Sequence, residues 1–249
     1  MKNRIFTGFF APIFALAMAL PIASYAADPV VTSKDLAGGS FSGGVTLINN
    51  YLFRGIEQSG GNPALQGEIG YTQPIGPVNL SVAAWGSNVD FNDGDEASVE
   101  LDYTFGLSGE FKKVSWGVGG IYYNYPGAAS SLNYDFWEIY ASLGYDFKIF
   151  SAELGVNYSP DNFGSSGDAV YTSGTFNVPL GKHLDFGVHL GYQTIDDNAA
   201  FGTDDYFHYE VSVGTNIAGV DLKLAWDDTD LSESQADTGK FLVSLSKSF

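Results

Sequence analysis

The chain has 249 residues, eleven Lys or Arg against twenty-nine Asp or Glu, a net charge of −18 and no cysteine. Such acidity excludes nucleic acid as a partner, because phosphate binding needs clustered Lys and Arg. The absence of thiols excludes disulfides, thiol catalysis and Cys-based metal sites, so hydrogen bonding and packing must hold the fold together.

Residues 1–26, "MKNRIFTGFFAPIFALAMALPIASYA", carry Lys2 and Arg4, then an apolar stretch, then the small-x-small site Ser24-Tyr25-Ala26. That order predicts a removed signal peptide, and hence export. The mature chain is then 249 − 26 = 223 residues with net charge −18 − 2 = −20. No later segment approaches the roughly 18 apolar residues of a transmembrane helix. Residues 27–39, "ADPVVTSKDLAGG", are expected to be a periplasmic N-terminal segment, either a tail or a partial plug.

From residue 40 onward, alternation of apolar and polar residues recurs, the mark of strands with one face of each kind. In "ASVELDYTFGL", Val99, Leu101, Tyr103, Phe105 and Leu107 share one face, opposite Ser98, Glu100, Asp102, Thr104 and Gly106. Twelve such segments are predicted, near 41–54, 64–73, 78–88, 97–107, 114–125, 135–147, 150–158, 169–178, 184–192, 206–217, 220–227 and 240–249. The segment 169–178 is the least regular, since Tyr171 and Phe176 have opposite parity. The last nine residues, "FLVSLSKSF", alternate and end on Phe249. They resemble the C-terminal strand by which bacterial outer-membrane barrels meet the barrel-assembly machinery.

The connections alternate between short turns such as "PIGP", "KI" and "AG" and longer polar loops such as "GIEQSGGNP", "SPDNFGSSGD" and "DDTDLSESQADTG". An even strand count with alternating short turns and long loops predicts a transmembrane antiparallel up-and-down β-barrel over residues 40–249, both termini periplasmic. A soluble barrel would also alternate, but its polar face would be rich in Lys. Here that face is Gly, Ser, Thr, Asn and carboxylate. The apolar face carries aromatics toward both strand ends, as headgroup-level girdles require. Tyr51, Phe53, Tyr122, Trp137, Tyr192, Trp226 and Phe241 are expected on the loop side, and Tyr71, Phe105, Tyr145, Phe147 and Phe249 on the turn side.

The stretches "NNYLFRGIEQSGGNPALQG" (49–67), "AWGSNVDF" (84–91), "IYYNYPGA" (121–128), "NYSPDNFG" (157–164) and the closing "VSLSKSF" together resemble the TorF family of porin-like proteobacterial sequences. The resemblance runs in order from about residue 40 to the C-terminus. It implies a Gram-negative outer-membrane location, with lipid and lipopolysaccharide around the barrel, and a diffusion role. It brings no catalytic set.

The parity opposite the apolar one predicts the lumen. Its candidate pore-lining residues are Arg54, Glu68, Glu100, Asp102, Glu138, Tyr140, Glu153, His189, His208, Glu210, Lys223, Asp227 and Lys240. Twelve strands spaced about 4.8 Å and tilted about 40° close to a diameter of roughly 24 Å, leaving a bore of about 10 Å or less. Carboxylates outnumber cations in the set by about two to one, so a weak cation preference is expected. Arg54 is expected at the pore mouth beside Lys240 and Asp227, one step beyond the lipid-facing Phe53.

No catalytic constellation is legible and no cofactor is expected. Of three histidines, His183 lies in a turn and His189 and His208 point inward. "FGSSGD" lacks the strand–turn–helix setting of a nucleophile elbow, and Glu138 with Glu210 lacks a positioned partner. The loop "DFNDGDE" departs from the EF-hand layout, so its acids read as solvated. Two functional readings follow. One is a channel for passive diffusion of small solutes. The other is a narrow or plugged barrel acting through its acidic loops.

Overall fold

The computed structural model describes residues 38–91, 94, 97–236 and 239–249. The predicted leader 1–26, residues 27–37, and Asp93, Asp95 and Glu96 of the second loop lie outside them. Twelve strands form one closed antiparallel barrel in sequence order. They are β1 (Ser40–Ile48), β4 (Ala64–Ile75), β5 (Val78–Asn88), β6 (Val99–Phe111), β7 (Val114–Asn124) and β8 (Phe136–Asp146). The rest are β9 (Ser151–Ser159), β10 (Ala169–Leu180), β11 (Leu184–Ile195), β12 (Tyr206–Ile217), β13 (Val220–Thr229) and β14 (Lys240–Ser248). Two residue pairs, β2 (Leu52–Phe53) and β3 (Ile56–Glu57), form a separate small hairpin. Closure between β1 and β14 sets Gly44 opposite Ser248, and Gly43 and Phe249 exchange both backbone hydrogen bonds one step beyond.

The alternation predicted from the sequence fixes the two faces of this wall. On β6, Tyr103 is 49% exposed and Phe105 55%, whereas Asp102 between neighbouring pleats is 1% exposed. Leu65, Ile69, Leu143, Leu154 and Leu245 likewise face outward as an aliphatic band. Tyr122, Trp137, Tyr192, Trp226 and Phe241 stand out at the loop end, and Tyr145, Phe147 and Phe249 at the turn end. An apolar outer surface between two aromatic belts is built for lipid. β10 resolves the irregular parity: Tyr171 is buried inside and Phe176 faces out, on one unbroken strand.

Backbone requirements place the tight turns. Ala218 (φ 53) and Gly219 (φ 80) join β12 to β13 with both central residues in the left-handed region, as two-residue hairpins demand. Inside the barrel, large rings lie flat where the neighbouring strand offers glycine. The Tyr140 hydroxyl occupies the space a Cβ would need at Gly106 and Gly119, and the Tyr171 ring does the same at Gly191.

One element departs from the predicted strands. The first strand stops at Ile48 rather than 54, and the chain leaves the wall at Asn49–Asn50. Asn49 replaces the missing ladder with its side chain, donating to the Phe241 carbonyl (3.0 Å) and accepting from the Val243 amide (2.7 Å). Residues 50–59 then turn into the barrel. Tyr51 is 3% exposed and packs on Trp85, with ring centroids 5.6 Å apart, so it does not belong to the outer girdle. Phe53 sits against Tyr123 rather than lipid (5.7 Å). Parity predicts orientation only while a chain stays in the wall.

Candidate functional site

The inward segment is a fixed structure. The Asn50 side chain donates to Glu57 (2.6 Å), Ser59 Oγ bridges Asn50 Oδ1 and the Asn62 carbonyl, and the Gln58 amide donates to the Tyr51 carbonyl. At its tip, Arg54 (φ 51) and Gly55 (φ 83) make the two-residue turn between β2 and β3. A non-glycine residue held there costs about 1–2 kcal/mol. Gly55 lies so close to Thr229 and His208 that a Cβ would collide with Thr229.

The Arg54 side chain recovers that cost. It is 5% exposed, donates from Nη2 to Glu138 Oε2 (2.7 Å) and from Nη1 to Gln193 Oε1 (3.0 Å). Its guanidinium lies between the Phe53 ring (4.6 Å) and the Tyr171 ring (4.4 Å). Desolvated cation–π contacts of this kind contribute about 2 kcal/mol. Glu138 Oε2 also accepts from Tyr123 Oη (3.1 Å) and Asn157 Nδ2 (2.9 Å). The hairpin that leaves the wall beside β1 is thus anchored to β8 and β11 on the far side.

Arg54 was expected at the rim with Lys240 and Asp227. Its ion-pair partner is instead Glu138, because the chain carries it inward before presenting it. Asp227 belongs to a second network beneath the hairpin. Thr175 Oγ1 meets His189 Nδ1 (2.9 Å), and His189 Nε2 meets Tyr171 Oη (2.8 Å). Tyr171 Oη also meets His208 Nδ1 (2.8 Å), whose Nε2 meets Asp227 Oδ2 (3.0 Å). Lys223 Nζ donates to Glu210 Oε2 (2.8 Å) as a third pair.

The other predicted positions divide by height. Glu100, Asp102, Glu138, His208, Glu210 and Asp227, toward the loop end, are buried. Tyr140, Glu153, His189 and Lys223, farther down, are half-buried and Glu68 is exposed, while Lys240 at the loop rim opposite Asp227 is half-buried as well. The loop-end interior also holds aromatics that charge parity alone does not single out. Tyr123 stacks on Phe136 (4.3 Å, 11°), and Tyr134 stacks on Phe163 (4.2 Å, 17°) above them. A trace of this was available in "YY" at 122–123, where adjacent tyrosines cannot both face lipid. Burial first, and then the Glu100 carboxylate, hold the Tyr51 and Tyr125 hydroxyls well above their ordinary pKa, so both remain neutral donors. Tyr125 Oη donates to Glu100 Oε1 (2.8 Å).

A family model described as "Bacterial protein of unknown function (Gcw_chp)" matches residues 34–249. The chain belongs to this family. No curated protein matches it. Among solved structures, it is similar to the KdgM porin at 9% identity and TM-score 0.53, covering 84% of this chain and 99% of that one. It is similar to KdgM in complex with disordered oligogalacturonate at 8% identity and TM-score 0.51, covering 84% and 98%. The COG4313 outer membrane channel from Pseudomonas putida F1 aligns at 12% identity and TM-score 0.51, over 86% of this chain and 97% of that one. At these identities the likeness establishes the barrel fold.

Proposed function

We propose that this protein is a porin-like channel of the Gram-negative outer membrane, both termini periplasmic, passing small neutral or cationic solutes by diffusion. The observation that carries the proposal is the pairing of an apolar, aromatic-belted outer wall with an interior rich in hydrogen-bonding and charged side chains. A soluble protein has no use for that inversion. The likeness to KdgM and COG4313 barrels and the sequence resemblance to TorF-family porin-like proteins support the same reading.

The predicted lining set would act in two tiers. Toward the turn end, Glu68 and Glu153 make no ion pair among the described residues, so an open vestibule there is net acidic and favours cations. Toward the loop end, the Arg54 hairpin and the aromatic stack restrict passage. KdgM holds an oligogalacturonate, a polyanion; the acidic vestibule here argues for a different solute charge. The test is conductance of the refolded protein in planar bilayers under a salt gradient. Discrete steps with a cation-selective reversal potential are expected. Anion selectivity sinks the acidic-vestibule argument, and absence of any step sinks the channel.

A second reading has its own support: the filled loop-end interior favours a plugged barrel that works through its acidic loops. The same experiment on a variant lacking residues 51–60 separates the two. A channel narrowed by the hairpin conducts more without it, whereas a barrel filled by its wall side chains stays silent.

A further inference from the structure

Most charges buried in the loop-end interior are matched. Arg54 is engaged by Glu138 and Lys223 by Glu210, and one oxygen of Asp227 is hydrogen-bonded to His208. Glu100 and Asp102 are not. They are two residues apart on the inward face of β6, each 1% exposed, and neither forms an ion pair among the described residues. The Tyr125 and Tyr51 hydroxyls both hydrogen-bond the Glu100 carboxylate, but Glu100 Oε2 and both carboxylate oxygens of Asp102 meet no donor. Thr104, the next inward residue, is 4% exposed, and its hydroxyl is also without a partner.

Four buried oxygens on consecutive inward positions of one strand, from two carboxyl groups and a hydroxyl, find no protein partner among the described residues. Buried polar groups of native proteins are paired, and an orphan calls for strain, a bound water or an ion; Arg54 Nε, Ser159 Oγ and Asp227 Oδ1 are isolated orphans, whereas the four β6 oxygens lie on one column. We infer that the Glu100–Asp102–Thr104 column on β6 is a binding site for a hard divalent cation, Ca²⁺ or Mg²⁺, inside the barrel. Carboxylate and hydroxyl oxygens are the ligands such ions take, and a charge of +2 neutralises the two carboxylates together. No three His, Cys, Asp or Glu side chains gather among the described residues. The protein therefore supplies two carboxylates and a hydroxyl, and the ion keeps part of its water shell, as Mg²⁺ and many Ca²⁺ sites do. The proposal does not depend on the barrel conducting.

The wall supplies its own reporter. Trp85 is the cross-strand partner of Asp102 and is itself buried. Terbium(III), added to the folded full-length barrel in detergent, should luminesce on indole excitation, and Ca²⁺ should displace it. Asp102→Asn should weaken terbium binding at least about tenfold, and Ca²⁺ should raise the temperature of the folded-to-unfolded gel shift in the wild type but not in the variant. If D102N does not fold, Thr104→Val and Glu100→Gln serve the same comparison. Emission that survives all three substitutions places the ion in the acidic loops and overturns the proposal. Wild-type protein that gives no sensitised emission, or a thermal shift unmoved by Ca²⁺, Mg²⁺ or chelator, overturns it equally and leaves the two carboxylates neutralised by protons.

Discussion

The two ends of the barrel interior are built from the same strands and the same parity rule, yet they hold charge in opposite ways. Toward the loops, Glu138, Glu210 and Asp227 are buried and each carries a named partner, within a shell of Tyr51, Trp85, Tyr123 and Phe136. Toward the turns, Glu68 is exposed and Glu153 half-exposed, neither with an ion-pair partner among the described residues. The difference comes from loop segments that fold inward, the hairpin above all, with Tyr125, Tyr134 and Phe163 packed over it. Residues 50–59 bring a cation, a turn and two aromatics into the loop end, and nothing among the described residues enters from the turn end. The ion-paired charges of the loop half are therefore packing elements, Glu100 and Asp102 being the unpaired exceptions, whereas Glu68 and Glu153 of the turn half have no ion-pair partner among the described residues.

Removing residues 51–60 should erase this asymmetry and has the largest expected effect. Glu138, His208 and Asp227 become water-exposed, and single-channel conductance in bilayers rises several-fold. Equal conductance with and without the segment would show that the wall side chains alone set the bore. Next in size is Glu138→Ala. It strands the Arg54 guanidinium in a buried site, a defect worth about 3–5 kcal/mol, read as a lower temperature for the folded-to-unfolded gel shift. Replacing both partners, as Arg54→Met with Glu138→Met, should restore much of that loss, because an apolar pair leaves no charge unpaired. A double variant no better than E138A would mean that the hairpin depends on the Phe53 and Tyr171 stacking instead.

The wall was largely legible from sequence because period-two alternation is a local property enforced at every residue by the lipid outside. Strands from 64 to 249 lie within a few residues of their predicted bounds, and even the irregular segment holding Tyr171 is a true strand. The interior was less legible, for a physical reason. Alternation assigns Arg54, Glu138 and Asp227 to one face but says nothing about which of them meet, since the contacts span strands far apart in the chain. The hairpin was misread because "YLF" continues the pattern of β1 while the chain has already turned away at Asn49–Asn50. Of the two turn residues only Gly55 favours the left-handed region, so "RG" is a weak hairpin signal, and the contacts that hold Arg54 there are long-range.

A smaller effect probes the glycine cradles that hold inward rings against the wall. A Cβ at Gly191 would occupy the place of the Tyr171 hydroxyl, which bridges His189 and His208. Gly191→Ala should push Tyr171 toward Arg54 and break the bridge, a cost of about 1–3 kcal/mol. The imidazole NMR signals of His189 and His208 should shift together. Gly214→Ala is the control, because its Cβ would make only ordinary contact, 3.8 Å from the Leu222 carbonyl.

The smallest expected effect lies in the turn half, and it is the most direct contrast with E138A. Glu153→Gln removes a half-exposed carboxylate that no ion pair engages among the described residues. No partner is left unpaired by its loss, so stability should change by no more than about 0.5 kcal/mol. Its charge nonetheless acts on any ion in the vestibule. The reversal potential in a KCl gradient should therefore move toward the anion side, and further when Glu68→Gln is added. A stability loss comparable to that of E138A would make Glu153 a packing element like its loop-end counterparts. A reversal potential unmoved by both substitutions would place the selectivity-determining charges elsewhere along the path, above the vestibule.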